Sequence, residues 1–225
     1  MTERFAVLIP AYNAERTVAP VITEARLQLE PVVVIDDGSR DATGEVARAV
    51  GATVLRHEHN RGKGGALKTG FVWALQNGFD GVITLDADGQ HLPGEIPKFL
   101  EEREESGADL IIGGRSHLFA GMLPRRRMAN RFSAWTISIA AGKRVSDSQS
   151  GFRLYSARML RALTLRTDGF DMESEVIVRA GRGGFTIVTI PIELGFVDGL
   201  STSHYKPLKD TLRIAWTVTR TRFLG

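Results

Sequence analysis

The sequence predicts an α/β protein with a mostly parallel central sheet flanked by helices, and three observations support this fold class. Short β-branched runs alternate with amphipathic segments up to about residue 114, as in consecutive βαβ units. These runs are almost continuously apolar, as expected when both faces of a sheet are covered. The 225 residues are 43% hydrophobic and 24% charged, which fits one large domain with a substantial core.

The predicted elements follow in a regular order. Five strands, FAVLI, VVVID, TVLR, GVITLD and DLIIGG, begin at residues 5, 32, 53, 81 and 109. The helices between them span about 14–29, 42–50, 64–76 and 95–106. Beyond residue 114 come a long amphipathic stretch at about 122–141, the segment DSQSGFRLYS, a helix near 172–183 and the strand FTIVTIPIEL. No linker or internal repeat interrupts the chain, so one domain with an elaborated second half is expected.

Composition restricts the ligands and the location. Cysteine is absent, so a metal must be bound by oxygen or imidazole, which favours Mg²⁺ or Mn²⁺ over structural zinc. The net charge of +3 is mild, but basic residues cluster at 125–127, 131 and 143–144, which indicates a phosphate-bearing or anionic partner.

The N-terminal apolar run is too short for a signal peptide, and no run reaches the roughly 18 residues of a spanning helix. A cytoplasmic location is expected.

Three of the predicted strands end in polar segments, PAYNAE, DDGS and DADGQ, where an open α/β sheet binds its ligands. Asp86 and Asp88 are two residues apart where the chain turns at Gly89, so their carboxylates can converge. Hard cations take oxygen ligands from one or two carboxylates and from substrate phosphates, and Gln90 can add an amide oxygen. For the two aspartates alone, a solvated turn is the alternative.

The second polar strand end carries two adjacent carboxylates, Asp36 and Asp37, which can accept hydrogen bonds from a ribose or a base. Asp41 or Thr43 is expected to cap the helix that follows.

The segment HNRGKGGALKTGF places Lys63 and several glycines ahead of a helix, whose N-terminal N–H groups favour anions. Neither GxxxxGK[ST] nor a GxGxxG after the first strand is present, which disfavours a P-loop NTPase and a Rossmann dehydrogenase.

In this order, PAYNAE, VIDDGSRDAT, NRGKGGALKTG, LDADGQHLP and DSQSGFRLYS resemble the family 2 glycosyltransferases of GT-A fold. The most similar subgroup is the polyprenyl-phosphate (dolichyl-phosphate mannose synthase-like) sugar transferases, over about residues 5–214. The resemblance implies a single GT-A domain over 1–225, in which 1–114 bind the nucleotide sugar and 115–225 the acceptor. It implies one inverting displacement onto a polyprenyl phosphate. Transfer to a hydroxyl of a growing glycan or lipid-linked saccharide is the alternative, and no nucleic acid is expected.

The resemblance also implies roles for individual residues in the first half. The nucleotide sugar would be bound by Pro10, Tyr12, Asn13, Glu15, Asp37, Lys63 and Asp86. The Mg²⁺ or Mn²⁺ ligands would be Asp86, Asp88 and Gln90. The chain departs slightly from the family pattern at Ala14, where a Glu is common and Glu15 follows instead.

In the second half, Arg115 corresponds to an arginine that meets the donor's phosphates. Arg126 and Asn130, four residues apart on one helix face, would bind the acceptor's phosphate, while Arg127 and Arg131 could meet anionic lipid headgroups.

The expected catalytic residues are Asp88, Arg115, Asp147 and Gln149. Asp147 is the candidate base for a hydroxyl acceptor, and the role of Gln149 is open. His204 stands where the family usually has a cation, and it could reach the donor's phosphates or the metal.

The C-terminal segment LKDTLRIAWTVTRTRFLG is apolar at Leu212, Trp216 and Phe223 and basic at Arg213, Arg220 and Arg222. Such a helix could lie on an anionic membrane or dock a separate membrane subunit. Packing against the domain is the equal alternative. A peripheral position at the inner face of the membrane is the resulting expectation.

Overall fold

The computed structural model describes residues 3–115 and 124–195 together with Thr217 and Thr221, and within 124–132 it describes the backbone only. The strands are β1 (Phe5–Ala11), β2 (Val32–Asp36), β3 (Thr53–Arg56), β4 (Gly81–Thr84), β5 (Leu110–Gly114), β6 (Arg153–Ser156) and β7 (Ile187–Pro191). The helices are α1 (Val18–Gln28), α2 (Thr43–Ala49), α3 (Lys63–Gln76), α4 (Ile96–Ser106), α5 (Pro124–Ala141), α6 (Ala157–Ala162) and α7 (Met172–Arg182).

Within the described residues the strands form one sheet in the order β3-β2-β1-β4-β6-β5-β7. The strand β6 runs antiparallel to β4 and β5, and the other neighbours are parallel. The mostly parallel α/β sheet is therefore confirmed. The sequence did not predict β6 or α6, because RLYS is only four residues long and begins with an arginine, which is rarely buried unless it is paired.

Both faces of the sheet are covered by helices. Along β1, Ala6 and Leu8 point to one face and Val7 and Ile9 to the other, following the two-residue period of a strand. The first face packs against α3, α5, α6 and α7, and the second against α1, α2 and α4. This double burial explains why the central strands β1 and β2 are almost continuously apolar rather than alternating.

The topology brings the polar segments to one edge of the sheet. The strands β1, β2, β4 and β5 are mutually aligned, so their carboxyl ends lie at the same edge. Because β6 is antiparallel, the loop that precedes it reaches that edge as well. The segment DSQSG therefore lies beside the loops that follow β4 and β5.

The helix expected to begin near residue 14 begins at Val18 instead. Asn13 has a positive φ of 51°, and the Ala14 N–H donates to the Thr43 hydroxyl at 2.8 Å. This conformation and this hydrogen bond keep residues 12–15, which follow β1, in a loop at the edge of the sheet. Over the part of the chain that the structure describes, no helix has the length and apolarity needed to cross a bilayer.

Candidate active site

The loops after β1 and β2 are joined by hydrogen bonds. The Asn13 N–H donates to the Ser39 hydroxyl at 3.0 Å, and the Asn13 carboxamide oxygen accepts from the Arg40 N–H at 2.9 Å. The Glu15 carboxylate accepts from the Ala42 N–H, just ahead of α2, at 3.1 Å. The two segments therefore form one unit, in which Glu15 supports the neighbouring loop.

Asp37 connects the end of β2 to the loop ahead of α3. Its Oδ1 accepts from the Arg61 N–H at 2.9 Å and lies 2.6 Å from Nδ1 of His57, and its Oδ2 accepts from the Gly62 N–H at 2.8 Å. The side chain of Asp37 is almost fully buried. The adjacent Asp36 points the other way, and its Oδ2 lies 3.5 Å from Nε of Arg56. The two carboxylates therefore have different partners.

A pocket of about 490 Å³ opens at this edge of the sheet. Its lining comprises Pro10, Ala11, Tyr12, Asn13, Ala14, Thr17, Asp37, Asn60, Gly62, Lys63, Ala66, Asp86, Ala87, Asp88 and Phe170. The residues that end β1 and follow β2 form one end of it, which we call the β1–β2 end, and the DADG loop (residues 86–89) forms the other. Of the residues predicted to bind the nucleotide sugar and described here, all but Glu15 line this pocket.

Lys63 is the central cation of the DADG end. Its Nζ lies 2.6 Å from Oδ1 of Asp86 and 3.3 Å from Oε2 of Glu173 on α7. Burial disfavours the charge on Lys63, but the two carboxylates outweigh burial and raise its pKa. Burial likewise opposes ionisation of Asp86, yet the Lys63 ammonium prevails and lowers the pKa of Asp86 to about 2. Both groups are therefore charged at neutral pH.

Asp88 differs electrostatically from Asp86. Burial and the negative charge of Asp86 raise the pKa of Asp88, and the charge of Lys63 offsets these effects only in part. The Gln90 N–H donates to Oδ1 of Asp88, and the Gln90 amide group donates to Oδ2 at 3.1 Å.

His91 lies next to the same loop. Burial lowers the pKa of His91 to about 4. The Asp86 N–H donates to Nδ1 of His91 at 3.4 Å, which fits a neutral imidazole.

The donor set of the DADG loop suits a hard divalent cation. Asp86 and Asp88 supply carboxylate oxygens and Gln90 a carboxamide, which is the chemistry of Mg²⁺ and Mn²⁺ sites completed by substrate phosphates. A Cβ on Gly151 would lie 2.5 Å from Oδ2 of Asp86 and 2.6 Å from Nζ of Lys63, so only glycine leaves this space open. Among the described residues, no group of three or more His, Cys, Asp or Glu side chains is arranged to hold a metal.

Arg115 and Asp147 form a bidentate ion pair beside this loop. The Arg115 Nε donates to Oδ2 of Asp147 at 2.8 Å, its second guanidinium nitrogen donates to Oδ1 at 3.3 Å, and its backbone N–H donates to Oδ2. Although burial opposes charge on both groups, their pairing raises the pKa of Arg115 and lowers the pKa of Asp147. An ion-paired carboxylate of low pKa is a weak base, which argues against Asp147 as a general base. The exposed Gln149 contributes its backbone N–H to Asp147 at 3.0 Å.

The ion pair gives a pH-dependent contribution to stability. Because the folded pKa of Asp147 is lowered, this contribution is present above the unfolded pKa of about 4 and is lost as the pH falls through the folded value. We expect the urea midpoint of the wild type to fall more steeply than that of Asp147→Asn from about pH 5 to about pH 3. Parallel midpoint curves for the two proteins would contradict the pairing.

Sequence patterns did not indicate four buried residues near the site: His57, His91, Arg153 and Glu173. Glu173 is 5% exposed, and its Oε1 has no hydrogen-bond partner among the described residues. In the sequence, DMESEV has the acidic residues that are typical of a helix start. The sequence pattern therefore does not distinguish Glu173 from Glu175. Arg153 donates to the carbonyls of Ser148, Ser150 and Glu173 at 2.7 to 2.9 Å, a role that depends on the unpredicted strand β6.

Several predicted residues lie outside this description. His204 and the C-terminal segment with Leu212, Arg213, Trp216, Arg220, Arg222 and Phe223 are not among the described residues. For Arg126, Arg127, Asn130 and Arg131 only the backbone of α5 is described, and it is helical as expected. Their implied roles stay predictions.

The sheet order and the strand-end carboxylates are those of an α/β protein that binds its ligand at the carboxyl ends of its strands. Residues 6–164 match the family model described as Glycosyl transferase family 2, which is more than half of the chain, and the chain therefore belongs to this family. The resemblance inferred from the motifs is thereby confirmed.

Individual relatives cover most of the chain. It is 32% identical over 203 residues to undecaprenyl-phosphate mannosyltransferase of Micrococcus luteus, covering 84% of this chain and 82% of that protein. It is 28% identical over 210 residues to UDP-N-acetylglucosamine–dolichyl-phosphate N-acetylglucosaminyltransferase of Methanococcus voltae, covering 83% and 84%. Glucosyl-3-phosphoglycerate synthase from Mycobacterium tuberculosis, solved with Mn²⁺, UDP and phosphoglyceric acid, shares the fold with a TM-score of 0.77 at 20% identity, over 98% of this chain and 79% of that chain.

Proposed function

We propose that this glycosyltransferase moves a sugar from a nucleotide diphosphate onto a polyprenyl phosphate, inverting the anomeric configuration. The observation that carries the proposal is the pocket, which has Asp86, Asp88 and Lys63 at one end and the residues at the ends of β1 and β2, with the carboxylate of Asp37, at the other. The names of relatives at 28% and 32% identity, both polyprenyl-phosphate sugar transferases, support the acceptor class. Residues 1–114 would bind the donor and residues 115–225 the acceptor.

In this proposal Asp86, Asp88 and Gln90 hold Mg²⁺ or Mn²⁺ against the donor's diphosphate. The cation would neutralise charge that develops on the leaving nucleoside diphosphate. Lys63 lies between Asp86 and Glu173 at the start of α3, where its ammonium and the helix N–H groups attract the same phosphates. Arg115 adds a further cation beside them, oriented by Asp147.

A phosphate acceptor fits the electrostatics of the second half. Such a phosphate is ionised near neutral pH and needs positioning between cations rather than a strong base. The ion pairing of Asp147 with Arg115 favours this acceptor over a neutral hydroxyl, which would need that carboxylate as a base. Arg126 and Asn130 on α5 are the proposed phosphate ligands.

A lipid acceptor requires that the enzyme reach a membrane. We therefore propose that the enzyme acts at the cytoplasmic face, either as a peripheral protein or docked on a membrane subunit.

The test is acceptor dependence. Purified enzyme with Mn²⁺ and labelled nucleotide sugars is incubated with polyprenyl phosphate, with a free glycan, or with neither. Label on the polyprenyl phosphate is the expected result, and label found only on a hydroxyl acceptor would refute the proposal in favour of glycan elongation.

The acceptor site is tested by Arg126→Ala. We expect the KM for polyprenyl phosphate to rise at least about tenfold with donor affinity unchanged, because a charge-assisted bond to phosphate contributes about 1.5–3 kcal/mol. The control is Arg48→Ala, an exposed arginine on α2, which packs on the opposite face of the sheet. A loss confined to donor binding would contradict the assignment.

A further inference from the structure

One buried carboxylate beside the pocket uses only part of its hydrogen-bonding capacity. The side chain of Glu173, in the first turn of α7, is almost fully buried, and its Oε2 lies 3.3 Å from Nζ of Lys63. Its Oε1 has no hydrogen-bond partner among the described residues. The guanidinium of Arg153 donates to the backbone carbonyl of Glu173 rather than to the carboxylate. Buried polar groups in native proteins are almost always paired, so the unpaired oxygen requires a physical explanation.

We propose that Glu173 is a positioning residue that takes over the ammonium group of Lys63 when a divalent cation binds to Asp86. The inference rests on the proposed function, since it assumes that Asp86 and Asp88 hold the cation. Nζ of Lys63 lies 2.6 Å from Oδ1 of Asp86, so it is bonded to one of the oxygens proposed as metal ligands. Glu173 provides the second carboxylate that Lys63 needs in order to leave that oxygen.

The competition between the two cations is electrostatic. An ammonium and a divalent cation on the same carboxylate repel each other, and burial reduces the screening of that repulsion. An ammonium that left Asp86 without finding another partner would become an unpaired buried charge, which is strongly disfavoured. Oε2 of Glu173 already lies 3.3 Å from Nζ of Lys63, and Oε1 has acceptor positions to spare. The transfer therefore needs only rotation of the flexible lysine side chain.

The surroundings of Lys63 leave Glu173 as its alternative partner. Within the part of the chain that the structure describes, Lys63 forms ion pairs with Asp86 and Glu173 alone. Asp88 belongs to the same proposed metal site as Asp86, so it cannot serve as the alternative. A Cβ on Gly151 would lie 2.6 Å from Nζ of Lys63, so a side chain at that position would obstruct the ammonium between its two carboxylates.

The first test is a crystal structure of the wild-type protein with Mn²⁺ and UDP bound. We expect the cation on Asp86, with Nζ of Lys63 within hydrogen-bonding distance of the Glu173 carboxylate and no longer 2.6 Å from Oδ1 of Asp86. A cation on Asp86 with that 2.6 Å contact retained overturns this inference and leaves the proposed function standing. Absence of the cation from Asp86 overturns both.

The second test measures Mn²⁺ affinity in solution, by electron paramagnetic resonance of free Mn²⁺ at saturating UDP and about pH 8, where carboxylates are ionised. Glu173→Gln removes an attractive charge as well as a partner of Lys63, so it is made both in the wild type and in Lys63→Met, which has no ammonium. We expect Glu173→Gln to weaken Mn²⁺ binding at least about fivefold more in the presence of Lys63 than in its absence.

Equal losses in the two backgrounds, for proteins with wild-type circular dichroism, would show that Glu173 acts on the cation by its charge alone and would overturn the inference. The crystal structure uses the wild type, so the first test does not depend on whether these variants fold.

Discussion

Replacing Asp88 with asparagine is expected to abolish metal-dependent sugar transfer. Asp88 is the carboxylate of the DADG loop whose pKa is raised, because burial and the charge of Asp86 outweigh the effect of Lys63, which pairs with Asp86. The neutral amide keeps the shape of the side chain but removes the charge that would hold Mg²⁺ or Mn²⁺. A bound divalent ion contributes several kcal/mol of charge stabilisation, so we expect kcat to fall by at least about 10³-fold.

The same variant gives a binding result that is independent of turnover. Calorimetry with UDP should show that Mn²⁺ strengthens binding to the wild type and has little effect on Asp88→Asn. Glu104→Gln, which removes an exposed carboxylate from α4, is the matched control and should retain the effect of Mn²⁺. Metal-dependent UDP binding that survives in Asp88→Asn would eliminate the proposed metal site.

The first half of the fold could be read from the sequence because its signals are local. Strands β1, β2, β4 and β5 are mostly apolar runs, and each helix between β1 and β5 starts after a polar turn. The strand β6 carried no such signal. Its four residues pair with β4 and β5 from a distant part of the chain, and Arg153 is acceptable in the core only because three carbonyls surround it. A pattern within one segment does not contain that information.

The candidate site divides in the same way. The positions of Asp37, Asp86 and Asp88 follow from the rule that ligands bind at the carboxyl ends of parallel strands, and all three line the pocket. The contacts of Glu15 and Asp147 could not be foreseen, because their partners, the Ala42 N–H and Arg115, are distant in sequence. The placement of Glu173 depends on α7 packing behind Lys63, which is a tertiary relation.

Arg153→Met is expected to destabilise the folded protein by roughly 3–5 kcal/mol, because it breaks a buried hydrogen-bond network. The guanidinium is fully buried and donates to the carbonyls of Ser148, Ser150 and Glu173. Methionine replaces much of the aliphatic volume but removes the donor that these three carbonyls share. Each buried unsatisfied group costs about 1–3 kcal/mol, and relaxation of the loop recovers part of the sum.

The measurement is urea denaturation of Arg153→Met beside Arg153→Lys, which keeps the charge, and Arg48→Met, which removes an exposed arginine. A lysine ammonium cannot reach three carbonyls in the fork geometry of a guanidinium, so an intermediate loss is expected for Arg153→Lys. Arg48→Met should lie within about 0.5 kcal/mol of the wild type. If Arg153→Met unfolded at the wild-type midpoint, the three carbonyl bonds would not hold the loop that ends at Gly151 against Asp86. Stability and the geometry of the proposed metal site therefore depend on the same side chain.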